Sequence, residues 1–269
     1  MKKILITSTI LAMLSIPVVA EEIKIGIILG FTGPIESLTP SMADGAELAF
    51  SEASKSGNFL NGSTIVVIRG DSTCIDSAAA TSVAERLITA DGVVAIMGAD
   101  CSGVTTAIVN NVAVPNGVVM VSPSATSPAL STIDDKGYFF RTAPSDARQG
   151  QVLADILKAR GINEIAVTYT NNDYGKGLSD SFSKAFKAQG GVVSISAAHE
   201  DGKADYSAEV GALSASGSKY LAVFGYIDQG GKGIIQASID SDAFSNFVMA
   251  DGMVGDSILA AIGSALNGS

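Results

Sequence analysis

Hydrophobic residues along this chain fall into short, β-branched runs separated by stretches of helical spacing. Runs at 23–29 (IKIGIIL), 64–68 (TIVVI), 93–97 (VVAIM) and 118–121 predict strands. Between the first two, Met42, Ala46, Leu48, Ala49 and Ala53 recur at helical intervals, and 77–90 and 104–112 predict two further helices. That order is βαβαβαβ, which predicts a parallel sheet with helices on both faces. A polar, proline-bearing bridge at about 122–145 follows, with 138–142 extended, and a helix at 146–158. The rhythm then restarts, with strands at 165–169, 192–197, 220–224 and 247–250 and helices at 177–189, 206–215 and 233–239. An α/β protein of two similar parallel-sheet lobes is expected, one over 21–143 and the other over 144–269.

The first twenty residues stand apart. Lys2-Lys3, an apolar segment from Ile4 to Met13, and Val18-Val19-Ala20 before Glu21 have the order of a cleavable export signal. Residues 1–20 are therefore set aside from the fold, and the mature chain is expected outside the cytoplasm.

Length and composition then bound what the lobes can be. The chain has 269 residues, 47% of them hydrophobic, enough for two modest cores. Its formal net charge is −10, and loss of Lys2 and Lys3 makes it about −12. Without clustered Lys or Arg, nucleic acid and anionic membrane are poor partners. Two cysteines, Cys74 and Cys101, are expected to be joined in an oxidising compartment, and they are too few for a structural zinc site. His199, in Ala-Ala-His-Glu-Asp-Gly, reads as part of a solvated loop, and no G-x-S-x-G elbow occurs. In the run 225–232 (GYIDQGGK), Tyr226 and Gly233 stand where a phosphate loop needs Gly and Ser/Thr. Neither an enzyme, nor a cofactor, nor a metal site is expected.

The residues that remain notable are at strand ends: Thr32-Gly33, Cys101-Ser102-Gly103, Ser124-Ala125-Thr126, Tyr174-Gly175, Gly225-Tyr226 and Ala250-Asp251-Gly252. Open α/β sheets bind ligands at the carboxyl ends of their strands. If the lobes face one another there, hydroxyls and backbone N–H groups can take a carboxylate and Asp251 a cation, an arrangement suited to a zwitterion. Tyr174 and Tyr226 suit aromatic walls as well as plain packing, and Asp251 equally suits a helix N-cap.

In order along the chain, Ile23-Lys24-Ile25-Gly26, Thr32-Gly33-Pro34, Gly45-Ala46, Cys74-Ile75-Asp76, Cys101-Ser102, Ser122 to Pro128 (SPSATSP), Phe140-Arg141-Thr142, Asp146, Gln149-Gly150, Tyr174 to Leu178 (YGKGL), Asp205-Tyr206-Ser207 and Gly225-Tyr226 are similar to one family. The chain resembles the exported solute-binding proteins of branched-chain amino-acid ABC transporters, which have the type 1 periplasmic binding fold. The resemblance implies two hinged lobes closing on a small amino acid or related carboxylate, which a monomeric periplasmic receptor hands to a membrane permease. A ligand sensor of the same fold, or a receptor for an amide or aromatic carboxylate, is the alternative. It implies that the Cys74–Cys101 disulfide borders the site, that Ser102, Ser124, Ala125 and Thr126 hold the ligand on the first lobe, and that Tyr174 and Tyr226 close from the second. Asp251 stands where the family commonly places an acid for the α-ammonium. Leu38 replaces a tyrosine frequent in the side-chain pocket, and Asp100 an apolar residue. Members also continue well beyond the point where this chain stops, so a C-terminal truncation, with the return crossover near the end of 144–269, is expected.

Overall fold

The computed structural model describes residues 20–269. The expected export signal, apart from Ala20, lies outside them. Nine parallel strands form two sheets among the described residues. The first contains β1 (Glu22–Leu29), β2 (Thr64–Asp71), β3 (Ala95–Gly98), β4 (Val119–Ser122) and β5 (Phe139–Arg141), in the order β2-β1-β3-β4-β5. The second contains β6 (Glu164–Thr170), β7 (Val192–His199), β8 (Tyr220–Phe224) and β9 (Asn246–Met249), in the order β7-β6-β8-β9. Each lobe thus starts beside its second strand and crosses back over its first. That places a topological switch point between β1 and β3 in one lobe and between β6 and β8 in the other.

Burial explains why these runs are strands. On β1, Ile28 enters one core while Ile27 and Leu29 enter another beneath α1 (Thr39–Lys55), so the period of two fills both faces. On β8, Ala222 and Phe224 face one core and Leu221 and Val223 the other, all fully buried. Helices follow local signals. Asp76 caps α2 (Ser77–Thr89) by accepting from the N–H groups of Ala78 and Ala79, each at 2.9 Å. The segment after β3 forms α3 (Ser102–Ile108), a π-helical turn at Val109–Ala113 and α4 (Val114–Asn116) before β4.

The chain crosses to the second lobe after β5 and enters α5 (Asp146–Ala159), which packs on α6 (Asp173–Ala188). That approach is close: a Cβ at Gly150 would lie 2.5 Å from the Phe182 backbone nitrogen. Phe182 stacks on Phe186 and meets Phe224 edge-on, both at 5.3 Å between centroids. A second cluster lies beneath α7 (Ser207–Ser214), α8 (Gly230–Asp240) and α9 (Asp256–Ile262), and it includes Ile258 and Ile262 of α9. No described helix is long and apolar enough to cross a membrane.

Three details differ from the sequence reading. α6 starts at Asp173 rather than 177, because Asn172 caps it through Gly175 N–H at 3.0 Å. Tyr174 therefore stands in a first helical turn rather than in a loop. α9 was not expected from the pattern. His199 is the last residue of β7, only 1% exposed, not part of a solvated loop.

Candidate functional site

Segments that follow the carboxyl ends of six strands meet where the lobes face each other. They enclose a cavity of about 70 Å³. From the first lobe come Ile35, Leu38 and Met42 after β1, Asp100, Cys101 and Ser102 after β3, and Ser124 after β4. From the second come Tyr174 after β6, Tyr226 after β8, and Asp251 and Gly252 after β9. A larger open groove, about 750 Å³, runs between Lys203, Tyr206 and α8, but it takes nothing from the first lobe and none of the residues above.

The first-lobe wall is held from behind. Cys74 and Cys101 are bonded, with Cα atoms 5.2 Å apart. Asp100 is buried and accepts from Gly30 N–H at 2.8 Å, Cys101 N–H at 2.9 Å and the Ser72 hydroxyl at 3.4 Å. Burial pushes its carboxyl up to about 6, against those donors. The Ser124 hydroxyl donates to the Asp100 carbonyl at 3.1 Å, and Ser102 Oγ accepts from Ser127 N–H at 3.0 Å. Ala125 and Thr126 lie outside the cavity wall, one layer back. Ala125 is fully buried and donates its N–H to Ser122 Oγ, while the Thr126 carbonyl accepts from Asp146 N–H at 2.9 Å. Arg141 Nη1 fixes the same loop by donating to the carbonyls of Ala125 and Ser127 at 3.1 and 2.8 Å.

On the second lobe, Tyr174 and Tyr226 stack with centroids 5.2 Å apart and planes 17° from parallel. Burial raises both phenols well above their usual pKa, Asp251 adding to the rise at Tyr174. Asp251 Oδ1 accepts from the Tyr174 hydroxyl and from Gln149 Nε2, each at 2.9 Å. Among the described residues Asp251 Oδ2 takes no hydrogen bond, and no Lys, Arg or His lines the cavity. No group of three or more metal-ligating side chains occurs among the described residues either.

Sequence reasoning placed Ser102, Ser124, Tyr174, Tyr226 and Asp251 at one site, and the structure gathers these five around one cavity. It missed Ile35 and Met42, since apolar residues near a helix start look like ordinary core, and it had Gly252 only as the strand-end neighbour of Asp251. His199 does not line the cavity. Its Nδ1 lies 2.8 Å from Thr168 Oγ1, Nε2 is buried without a partner, and burial pushes the imidazole down to about 4.

A periplasmic binding protein model matches residues 22–269. The chain belongs to the periplasmic binding protein family. Among its relatives in that family, it is 33% identical over 215 residues to Leu/Ile/Val-binding protein homolog 3 of Brucella melitensis, covering 78% of this chain and 56% of that one. It is 28% identical over 252 residues to the leucine-, isoleucine-, valine-, threonine- and alanine-binding protein of Pseudomonas aeruginosa, covering 93% and 65%. The crystal structure of a leucine-binding protein of Thermotoga maritima superposes with a TM-score of 0.79 at 26% identity, covering 90% of this chain and 67% of that one. The chain therefore spans less than two thirds of the length of both curated relatives. The expected architecture, two parallel-sheet lobes of a type 1 periplasmic binding protein, holds.

In this periplasmic binding protein the lobes also touch directly at the cleft. Asp228, after β8, accepts from Ser37 N–H at 2.9 Å and its own N–H donates to the Pro34 carbonyl at 3.0 Å, while the Ser257 hydroxyl of its own lobe donates to its Oδ1 at 2.9 Å. Because these bonds are partly exposed, Asp228→Ala is expected to cost the closed form about 1 kcal/mol. Small-angle scattering should show a larger radius of gyration without ligand, and ligand affinity should fall roughly fivefold. An unchanged radius and affinity would show that the contact does not bias closure.

Proposed function

We propose that the chain is the two-lobed part of an exported receptor that captures a small aliphatic α-amino acid between its lobes and delivers it to an ABC transporter permease, without catalysing a reaction. The observation that carries this reading is the free Oδ2 of Asp251, a residue that lines a small cavity whose wall has carboxylates but no cationic side chain. A desolvated ammonium needs such a counter-charge. Ile35, Leu38 and Met42 supply an apolar end for the side chain, while Ser102, Ser124, Tyr174 and Tyr226 supply hydroxyls for the remaining polar atoms. The names of the Brucella and Pseudomonas relatives, both read as binding leucine, isoleucine and valine, support the same class.

Mechanistically, a ligand that touches Ser102 and Ser124 on one lobe and Tyr174, Tyr226 and Asp251 on the other stabilises the closed form by its differential affinity for it. A simple carboxylate lacks the group that would pair with Asp251, so an aromatic acid should bind poorly. Mass spectrometry of ligand retained by the purified protein, followed by a thermal-shift series, tests this. L-Leucine, L-valine or L-alanine at about 100 times its Kd should stabilise by roughly 2.7 kcal/mol, several degrees in Tm. Stabilisation by 4-hydroxybenzoate and by none of the amino acids would overturn the reading.

A further inference from the structure

Among the described residues, Gln149 is the one side chain that hydrogen-bonds to both Asp251, which lines the cavity, and Asp146, the acid buried behind it. It sits in the first turn of α5, immediately after the crossing between lobes. Its Nε2 donates to Asp146 Oδ1 at 2.7 Å and to Asp251 Oδ1 at 2.9 Å, and its Oε1 accepts from Asp251 N–H at 3.0 Å. The last bond fixes which way the amide points, because the flipped amide would set its oxygen against two carboxylates and its NH₂ against an N–H. Only a group with two donor hydrogens on one atom and an acceptor beside it makes all three contacts. A carboxylate at this position would be the third acid in the cluster.

The consequence falls on Asp251. Gln149 and Tyr174 both occupy Oδ1, and Gly252 N–H donates to Tyr174 OH at 3.2 Å, so the carboxylate is gripped from one side. Among the described residues Oδ2 is left without a partner, on a residue that lines the cavity. Asp146, which accepts from the same Nε2, is tied to the first lobe through its N–H on the Thr126 carbonyl. Thr126, which does not reach the cavity, is thereby linked to it through Asp146 and Gln149.

We propose that Gln149 is a positioning residue for ligand recognition, aiming Asp251 Oδ2 at the ligand's ammonium; this rests on the amino-acid reading of the site. Gln149 touches no ligand itself. Removal of its amide should therefore penalise a ligand only in proportion to its dependence on Asp251.

The test is a cycle read with two probes, L-leucine and 4-methylpentanoate, which is leucine without its ammonium. Calorimetry on the wild type, Gln149→Met, Asp251→Asn and the double variant gives the four affinities for each. Gln149→Met should weaken L-leucine about tenfold, the scale of a hydrogen bond to a charged group. It should leave 4-methylpentanoate unchanged and add almost nothing in the Asp251→Asn background. Equal weakening of both probes, or the full loss persisting beside Asp251→Asn, would mean a general structural role and overturn the assignment. Gln149→Asn, whose shorter amide cannot span the two acids, gives the same readout should the methionine variant fail to fold. Wild-type protein that binds neither probe overturns the amino-acid reading and the assignment with it, whereas L-leucine binding untouched by either Gln149 variant overturns the assignment alone.

Discussion

Loss of the Cys74–Cys101 bond is expected to destabilise this protein by about 3–4 kcal/mol, the chain-entropy value for a closed loop of this length. The two cysteines are 27 residues apart and join the loop after β2 to the start of α3. Both are almost fully buried, at 2% and 4% exposure, in the core that spans the first lobe and α6. Reductant will therefore reach them slowly, and Cys74→Ala/Cys101→Ala is the cleaner comparison. For a chain of this size the loss corresponds to a fall of about 10 °C in Tm. Binding should suffer as well, because Cys101 lines the cavity and Ser102 follows it. A double variant within about 1 kcal/mol of the wild type, read by urea unfolding, would show that the hydrogen bonds of Asp100 alone hold this wall.

How much of this was legible from the sequence depended on the range of the interaction. Strands buried on both faces announce themselves as continuous apolar runs, so IKIGIIL and YLAVF could be placed within a residue or two. Strand ends followed, and with them Ser102, Ser124, Tyr226 and Asp251. Tyr174 was found for a partly wrong reason: Gly175 and Gly177 masked the start of α6, yet both glycines are there to let the helix approach the Thr170 carbonyl and Pro128. His199 was misread because the residues after it, Glu200-Asp201-Gly202, are polar or turn-forming, whereas its partner Thr168 lies 31 residues away on the adjacent strand. Gln149 carried only a motif signal, since both its acceptors come together through the β9 turn, more than a hundred residues downstream for Asp251. Long-range polar contacts have no periodicity for a sequence pattern to reveal.

Asp146 should make stability depend on pH in the direction opposite to that of most carboxylates. Its carboxyl is fully buried and sits near Asp251, and burial first, then that neighbouring charge, pushes it up to about 7. Gln149 satisfies one oxygen, while Oδ2 is buried without a partner. Below about pH 4 the group is protonated in both folded and unfolded chains and contributes nothing to the pH dependence. Between about 4 and 7 the unfolded carboxyl is ionised while the native one keeps its proton. The native state then binds more protons, and stability falls as pH rises through this window, by a total on the order of 3–4 kcal/mol. Asp100, raised to about 6, slopes the same way. His199 slopes the other way: its imidazole is held down to about 4 against an ordinary value near 6.5, so its contribution is lost as pH falls through that range. Asp146→Asn isolates the first of these. Asparagine keeps an acceptor for Gln149 and replaces the unpartnered oxygen with an uncharged NH₂. Urea unfolding should find the variant close to the wild type near pH 4.5 and more stable by a few kcal/mol at pH 8. A stability difference that stays constant across this range would mean that Asp146 is already ionised at pH 4.5 and that its burial is fully compensated. Asp251→Asn supplies the cross-check: with the neighbouring charge gone, the Asp146 window should close from its upper end, which ties the acid that faces the ligand to the one buried behind it.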